Sequence, residues 1–182
     1  MADAEPALRV ATPDDAAAVE SVMKQSTAAH FPQWYDEHQT ESAVAHVAHV
    51  DPLLLSDGTY YILEVKGEAV ACGGWSRRGK LYTGSGDADD DARIVDPATE
   101  PARVRAMFVR PDWTRRGLGR RILEAAKQAA RAEGFSRMIL VATLPGVPLY
   151  EAYGFRALEE ADVTTPDGVV LPCVVMDKRI DA

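Results

Sequence analysis

The chain has 182 residues, 47% of them apolar, and a formal net charge of −8 at pH 7. This is enough for one sizeable core, and the length favours a single domain over residues 1–182 rather than two. The acidic balance argues against nonspecific nucleic-acid binding, and no run of about 18 apolar residues or basic-then-apolar leader is present, so no membrane partner and a cytoplasmic location are expected.

In chain order, Ala7 to Ala11 reads as a short strand. Thr12-Pro13-Asp14-Asp15 then reads as an N-cap, a proline at the first helical position and acids facing the positive end of the dipole, opening a helix to about Ala29. Pro32 and the aromatics of residues 29–40 break that helix, and a second is expected from Glu41 to about Val50. Asp57-Gly58 marks a turn, and Thr59 to Val65 with Ala69 to Trp75 reads as a β-hairpin. Arg77 to Pro101, with the acidic run Asp87 to Asp91, lacks an apolar period and reads as a long loop, with its order left open.

Val104 to Val109 forms the next strand, stopped by Pro111. After Gly117 the residues Leu118, Ile122, Ala125, Ala126, Ala129 and Ala130 recur at helical spacing, and Gly134 supplies the stop. Met138 to Val141 is continuously apolar, as in a central strand, and Gly146 to Tyr153 reads as a short helix. Thr164 to Gly168 turns the last two strands, which end near Arg179. Cys72 and Cys173 have no metal-ligand spacing and read as buried, reduced thiols.

The chemistry concentrates between Arg105 and Phe155. The first turn of a helix presents unpaired N–H groups and partial positive charge, and glycines let an anion approach the backbone. Here Gly117-Leu118-Gly119 opens the helix, with Arg115, Arg116 and Arg120 as charge-assisted donors. From Pro101 to Arg137 there are ten basic residues and three acidic, so this segment carries +7 and the remainder −15. A basic island in an acidic chain suits a compact polyanion such as a nucleotide diphosphate.

With Tyr150-Glu151-Ala152-Tyr153-Gly154-Phe155 downstream, this order of strand, glycine turn, helix and strand resembles the GNAT superfamily of acyl-CoA-dependent N-acetyltransferases. The resemblance implies a single α/β domain with a mixed, splayed central sheet flanked by helices, in the order β-α-α-β-β-β-α-β-α-β-β. One departure is Thr114, where the family usually has arginine or glutamine. The implied cosubstrate is acetyl-CoA, with no metal. Met107, Phe108 and Val109 would offer backbone hydrogen bonds to pantetheine. Arg115, Arg116, Gly117, Leu118, Gly119 and Arg120 would hold the pyrophosphate. Thr143 stands near a ligand-contacting position of the family, and Tyr153, also placed at the cofactor, is the rival of Tyr150 or packs. Tyr150 would be the general acid toward the departing thiolate.

The implied reaction is direct transfer of an acetyl group to a primary amine of a small molecule or peptide in a ternary complex. His30, Trp34 and Tyr35 fall where the family commonly contacts acceptor, and Trp75 ends a strand nearby; for all four, packing is the competing role. Glu100, Asp96 and Glu37 are conceivable bases, each also readable as a solvated acid. His46, His49 and Asp51 share a segment but lack the further spaced ligands of a metal site. A noncatalytic acyl-CoA-binding module and an aminoacyl-tRNA-acetylating toxin are the alternatives, the second disfavoured by the acidic remainder. Many family members pair as homodimers, which stays open here.

Overall fold

The structure, a computed structural model, describes residues 4–82 and 91–180. Among the described residues seven strands form one mixed sheet: β1 (Ala7–Val10), β2 (Tyr60–Val65), β3 (Glu68–Ser76), β4 (Ala102–Val109), β5 (Arg137–Thr143), β6 (Arg156–Thr164) and β7 (Val170–Arg179). Their order across the sheet is β1-β2-β3-β4-β5-β7-β6, antiparallel throughout except for the parallel β4–β5 pair at its centre. Among the described residues it is accompanied by the helices α1 (Ala16–His30), α2 (Glu37–His46), α3 (Pro52–Ser56), α4 (Leu118–Ala132) and α5 (Val147–Tyr153). No helix among the described residues is long and apolar enough to cross a membrane.

Alternation along the strands divides the core between the two faces of the sheet. Leu63, Ala71, Met138 and Leu140 pack under α4 with Ile122, Leu123 and Ala126. Tyr60, Ile62 and Cys72 face the other way, against Val19, Val22 and Met23 of α1 and Leu54 of α3. A third cluster joins Phe31, Tyr35 and Ala43 to Val163, Leu171 and Cys173 of the last hairpin. Both cysteines are buried and free. In β5 only alternate residues are fully buried, so this central strand is covered on one face and partly open on the other.

The expectation for the second helix is corrected. It starts four residues earlier, at Glu37, because Asp36 accepts from Gln39 N–H at 2.7 Å while Gln39 returns a bond to Asp36 N–H at 3.0 Å. It ends at His46, and the separate turn of α3 follows, capped by Asp51 with Pro52 at its first position. His46 turns to Asp167 at 3.7 Å and His49 to Glu20 at 3.5 Å, so the two histidines serve different neighbours. Part of the long loop is tied down: Arg78 bridges to Ile94 and pairs with Asp57 at 2.7 Å. Asp87 to Asp90 lie outside the described residues.

Candidate active site

β4 pairs with β5 at two positions only, Ala102 with Met138 and Arg103 with Ile139. Beyond them β4 stays with β3 and β5 stays with β7, so the two central strands part. A bulge bends β4 at this point: the β3 register shifts between Cys72 and Gly74, and Ala106 adopts a φ of +53°. The Ala106 carbonyl accepts a 2.6 Å hydrogen bond from the fully buried Tyr60 hydroxyl. The gap opens into a cleft of about 670 Å³, reaching from the turn before α4 to the end of α1.

One end is a donor-rich helix start. Arg115 and Gly117 both take left-handed backbone, φ +60° and +76°, which a glycine adopts without the Cβ penalty. The first intrahelical bond runs from Arg121 N–H to the Gly117 carbonyl at 3.1 Å, so the N–H groups of Leu118, Gly119 and Arg120 have no partner within the helix. Gly117, at the N-cap, has no side chain to cap them. Arg115 and Arg120 line the cleft, and the Arg120 guanidinium lies 5.3 Å over the Tyr153 ring. Thr114 contributes structure, donating its hydroxyl to the Pro111 carbonyl at 3.1 Å. This donor set, with a positive helix end behind it, fits a diphosphate.

Along the middle, Met107, Phe108 and Val109 form one wall, and Val141 and Thr143 lie on the other. Where the strands diverge, their facing backbone edges are available to an extended ligand.

At the far end stands Tyr150, 8% exposed, with no hydrogen bond among the described residues. Its ring meets Phe155 edge-on at 5.8 Å and passes over Gly146, whose missing Cβ would stand 2.9 Å from Cε2. Burial pushes the Tyr150 phenol well above its ordinary range, so it stays protonated. Beyond it, His30, Phe31, Gln33 and Trp34 come from the end of α1 and the turn that follows, facing Val163, Leu171 and Cys173 of the last hairpin. Trp34 is half exposed.

Four of the residues expected at the site lie elsewhere. Tyr153 is outside the cleft: its hydroxyl donates to Glu124 at 2.6 Å, and its ring packs beneath Arg120, Lys127 and Lys178. It touches the ligand-facing surface only through Arg120. Arg116 does not line the cleft itself; its guanidinium lies 4.3 Å over the ring of Trp113, which does. The Tyr35 hydroxyl is spent on structure, donating to the Pro172 carbonyl at 2.7 Å and accepting from Leu144 N–H at 3.0 Å. Trp75 is a core residue, 1% exposed and edge-on to Phe135 at 5.8 Å.

The three carboxylates considered as bases do not reach the cleft either. Glu100 is held to about 2 by a paired contact with Arg93 at 2.8 and 3.0 Å and by the N–H of Asp96. Asp96 caps Ala98, and Glu37 opens α2 on the surface. Among the described residues lining the cleft there is no carboxylate. Arg105, unlike these, does line it; its sequence signal was a charge inside the otherwise apolar run Val104 to Val109.

The chain matches the acetyltransferase (GNAT) family over residues 19–155. Among curated proteins none matches the sequence significantly. Solved structures of similar fold include a GCN5-related N-acetyltransferase from Rhodopseudomonas palustris, 21% identical, covering 98% of each chain with a TM-score of 0.74. PaiA N-acetyltransferase from Thermoplasma acidophilum, solved in complex with coenzyme A, is 14% identical with a TM-score of 0.68 and covers 97% of this chain and 99% of its own. YncA from Salmonella typhimurium, solved with its cofactor acetyl-CoA, is 18% identical with a TM-score of 0.63 and covers 98% of this chain and 96% of its own. At these identities the likeness speaks for the fold. With three quarters of its length matched by the family, a mixed sheet parted at its centre and a glycine-opened helix beside the gap, the chain belongs to the GNAT acetyltransferase family.

Proposed function

We propose that the chain transfers an acetyl group from acetyl-CoA to a primary amine of a small molecule or peptide, directly and within a ternary complex. One observation carries this reading: a continuous cleft runs from the free N–H groups of α4 to the protonated phenol of Tyr150 and on to the pocket around His30 and Trp34. Acetyl-CoA, when bound, supplies the acyl group as an activated thioester.

Arg115, Arg120 and the backbone of Leu118 to Arg120 would hold the diphosphate, and the parted edges of β4 and β5 the pantetheine arm. The N–H groups of β4 beside the bulge are suited to polarise the acyl carbonyl. Tyr150 donates to the sulfur as the carbon–sulfur bond breaks and the carbon–nitrogen bond forms. The imidazole of His30 is the nitrogen base among the described lining residues, so it takes the amine's proton, through water.

The test is thiol release from acetyl-CoA across a panel of amines, with intact-mass measurement of the enzyme in the absence of acceptor. Amine-dependent thiol release without an acetyl-enzyme supports the proposal. CoA binding with no release across the panel would favour the noncatalytic acyl-CoA-binding module.

A further inference from the structure

Arg105 has no part in holding acetyl-CoA in this scheme, yet it lines the cleft while only 4% exposed. A guanidinium has five N–H donors in a planar fork. Among the described residues Arg105 uses one of them, from Nη2 to Asp51 Oδ2, at a long 3.5 Å. That carboxylate is shared. Its Oδ1 accepts from Leu53 N–H at 3.0 Å to cap α3, and Lys80 Nζ stands 4.0 Å from Oδ2.

A buried cation with so little compensation is costly unless an anion meets it. Desolvation accordingly weakens the hold of Arg105 on its proton, against the opposing pull of Asp51. Asp91 adds only a weaker pull from beyond contact distance. Among the described residues lining the cleft, Phe31, Val47, Val163 and Leu171 are apolar and none is a carboxylate. The position relates to the chemistry as well, since Arg105 directly precedes Ala106, the bulge residue whose carbonyl accepts from the Tyr60 hydroxyl.

We infer that the acceptor is an α-amino acid with an apolar side chain, its carboxylate bound by the Arg105 fork and its side chain received by Phe31, Trp34 and Leu171. The inference rests on the acetyl-transfer reading and narrows it. The neutral α-amine attacks the thioester carbonyl, the carbon–nitrogen bond forms as the carbon–sulfur bond breaks, and the amine's proton balances the thiolate. The products are an N-acetyl amino acid and CoA. The acidic charge of the whole chain draws cations from a distance, whereas inside the cleft the local field of Arg105 selects for a carboxylate.

The experiment compares kcat/KM for L-phenylalanine, L-leucine and L-methionine with their amides and decarboxylated amines, in the wild type and in Arg105→Gln and Arg105→Lys. The wild type is expected to favour the acids by about 10- to 100-fold, the value of a charged hydrogen-bonded contact. Arg105→Gln should bring that ratio close to one, through KM for the acids, and Arg105→Lys should keep part of it. CoA binding by calorimetry reports whether each variant is folded; if Arg105→Gln is not, the wild-type ratio decides. Equal transfer to acids and amides, or an equal loss for both in Arg105→Gln, would overturn the inference while leaving amine acetylation standing. No transfer to any amine would instead remove the acetyl-transfer reading beneath it.

Discussion

Gly119 and Leu149 approach so closely that the Cβ the glycine lacks would stand 2.7 Å from Leu149 Cδ2. The contact joins the first turn of α4 to α5 one residue before Tyr150. The helix end that would grip a diphosphate and the helix that carries the phenol are therefore set at a fixed separation by packing.

Enlarging residue 119 is expected to act on that separation. Gly119→Val should weaken CoA affinity by about tenfold or more, since overpacking costs about 1–3 kcal/mol. For folding, Gly117→Ala should behave differently, because no protein atom lies within 4 Å of the added methyl and the stability cost is the left-handed backbone alone. About 1–2 kcal/mol of folding stability should be lost there. Calorimetric CoA titration and urea unfolding of both variants separate the two effects.

Tyr150→Phe removes a hydroxyl that has no hydrogen-bond partner among the described residues, so the fold has little to lose. A drop in kcat of about 100-fold, with the KM for acetyl-CoA nearly constant, is expected if the phenol assists the thiolate. Steady-state kinetics read the outcome, and unchanged turnover would remove Tyr150 from the chemistry.

Tyr35→Phe is expected to show up in stability. It leaves the Pro172 carbonyl and the Leu144 N–H without the hydroxyl that joins them, at a cost of about 1–3 kcal/mol. A lower urea midpoint at unchanged m-value is the expected result. Retained stability would mean that the last hairpin is held to the turn after β5 by other contacts.

Acid should weaken the fold through Asp15, whose carboxyl is lowered from 3.8 to about 2, first by the hydrogen bond from Arg9 and further by the Thr12 N–H. The unfolded chain takes up the proton first as pH falls, so this stabilisation is complete above pH 3.8 and disappears as pH drops through about 2. Arg9 is 41% exposed, which limits the effect to about 0.5–1 kcal/mol. Asp15→Asn should flatten the unfolding free energy across that interval, measured by urea titration at successive pH values.

The sheet strands, the glycine turn and the long helix were legible because each has a local cause: alternation, a left-handed residue, an apolar stripe. The displaced start of α2 also had a local cause, the Asp36–Gln39 capping box, but the proline and aromatics before it made the whole segment read as a break. Tyr150 and Tyr153 sit on one short helix and look equivalent in sequence; only the packing of α4 shows that Glu124 and Arg120 occupy the second. Trp75 and Tyr35 likewise depend on partners more than fifty residues away, Phe135 and Pro172. Arg105 shows the same limit, since its burial follows from the bulge and from α3, neither of which is written in the strand itself.

The early end of the β4–β5 ladder gives this sheet two interior edges, a raw margin in the middle of the molecule and not at its rim. Such a margin makes the protein incomplete as a hydrogen-bonded object until an extended ligand lies along it in place of a strand. Occupancy then becomes part of the architecture: amides of residues 104–109 and 140–143 should exchange with solvent more slowly when the gap is filled, and the midpoint of thermal unfolding should climb with ligand concentration.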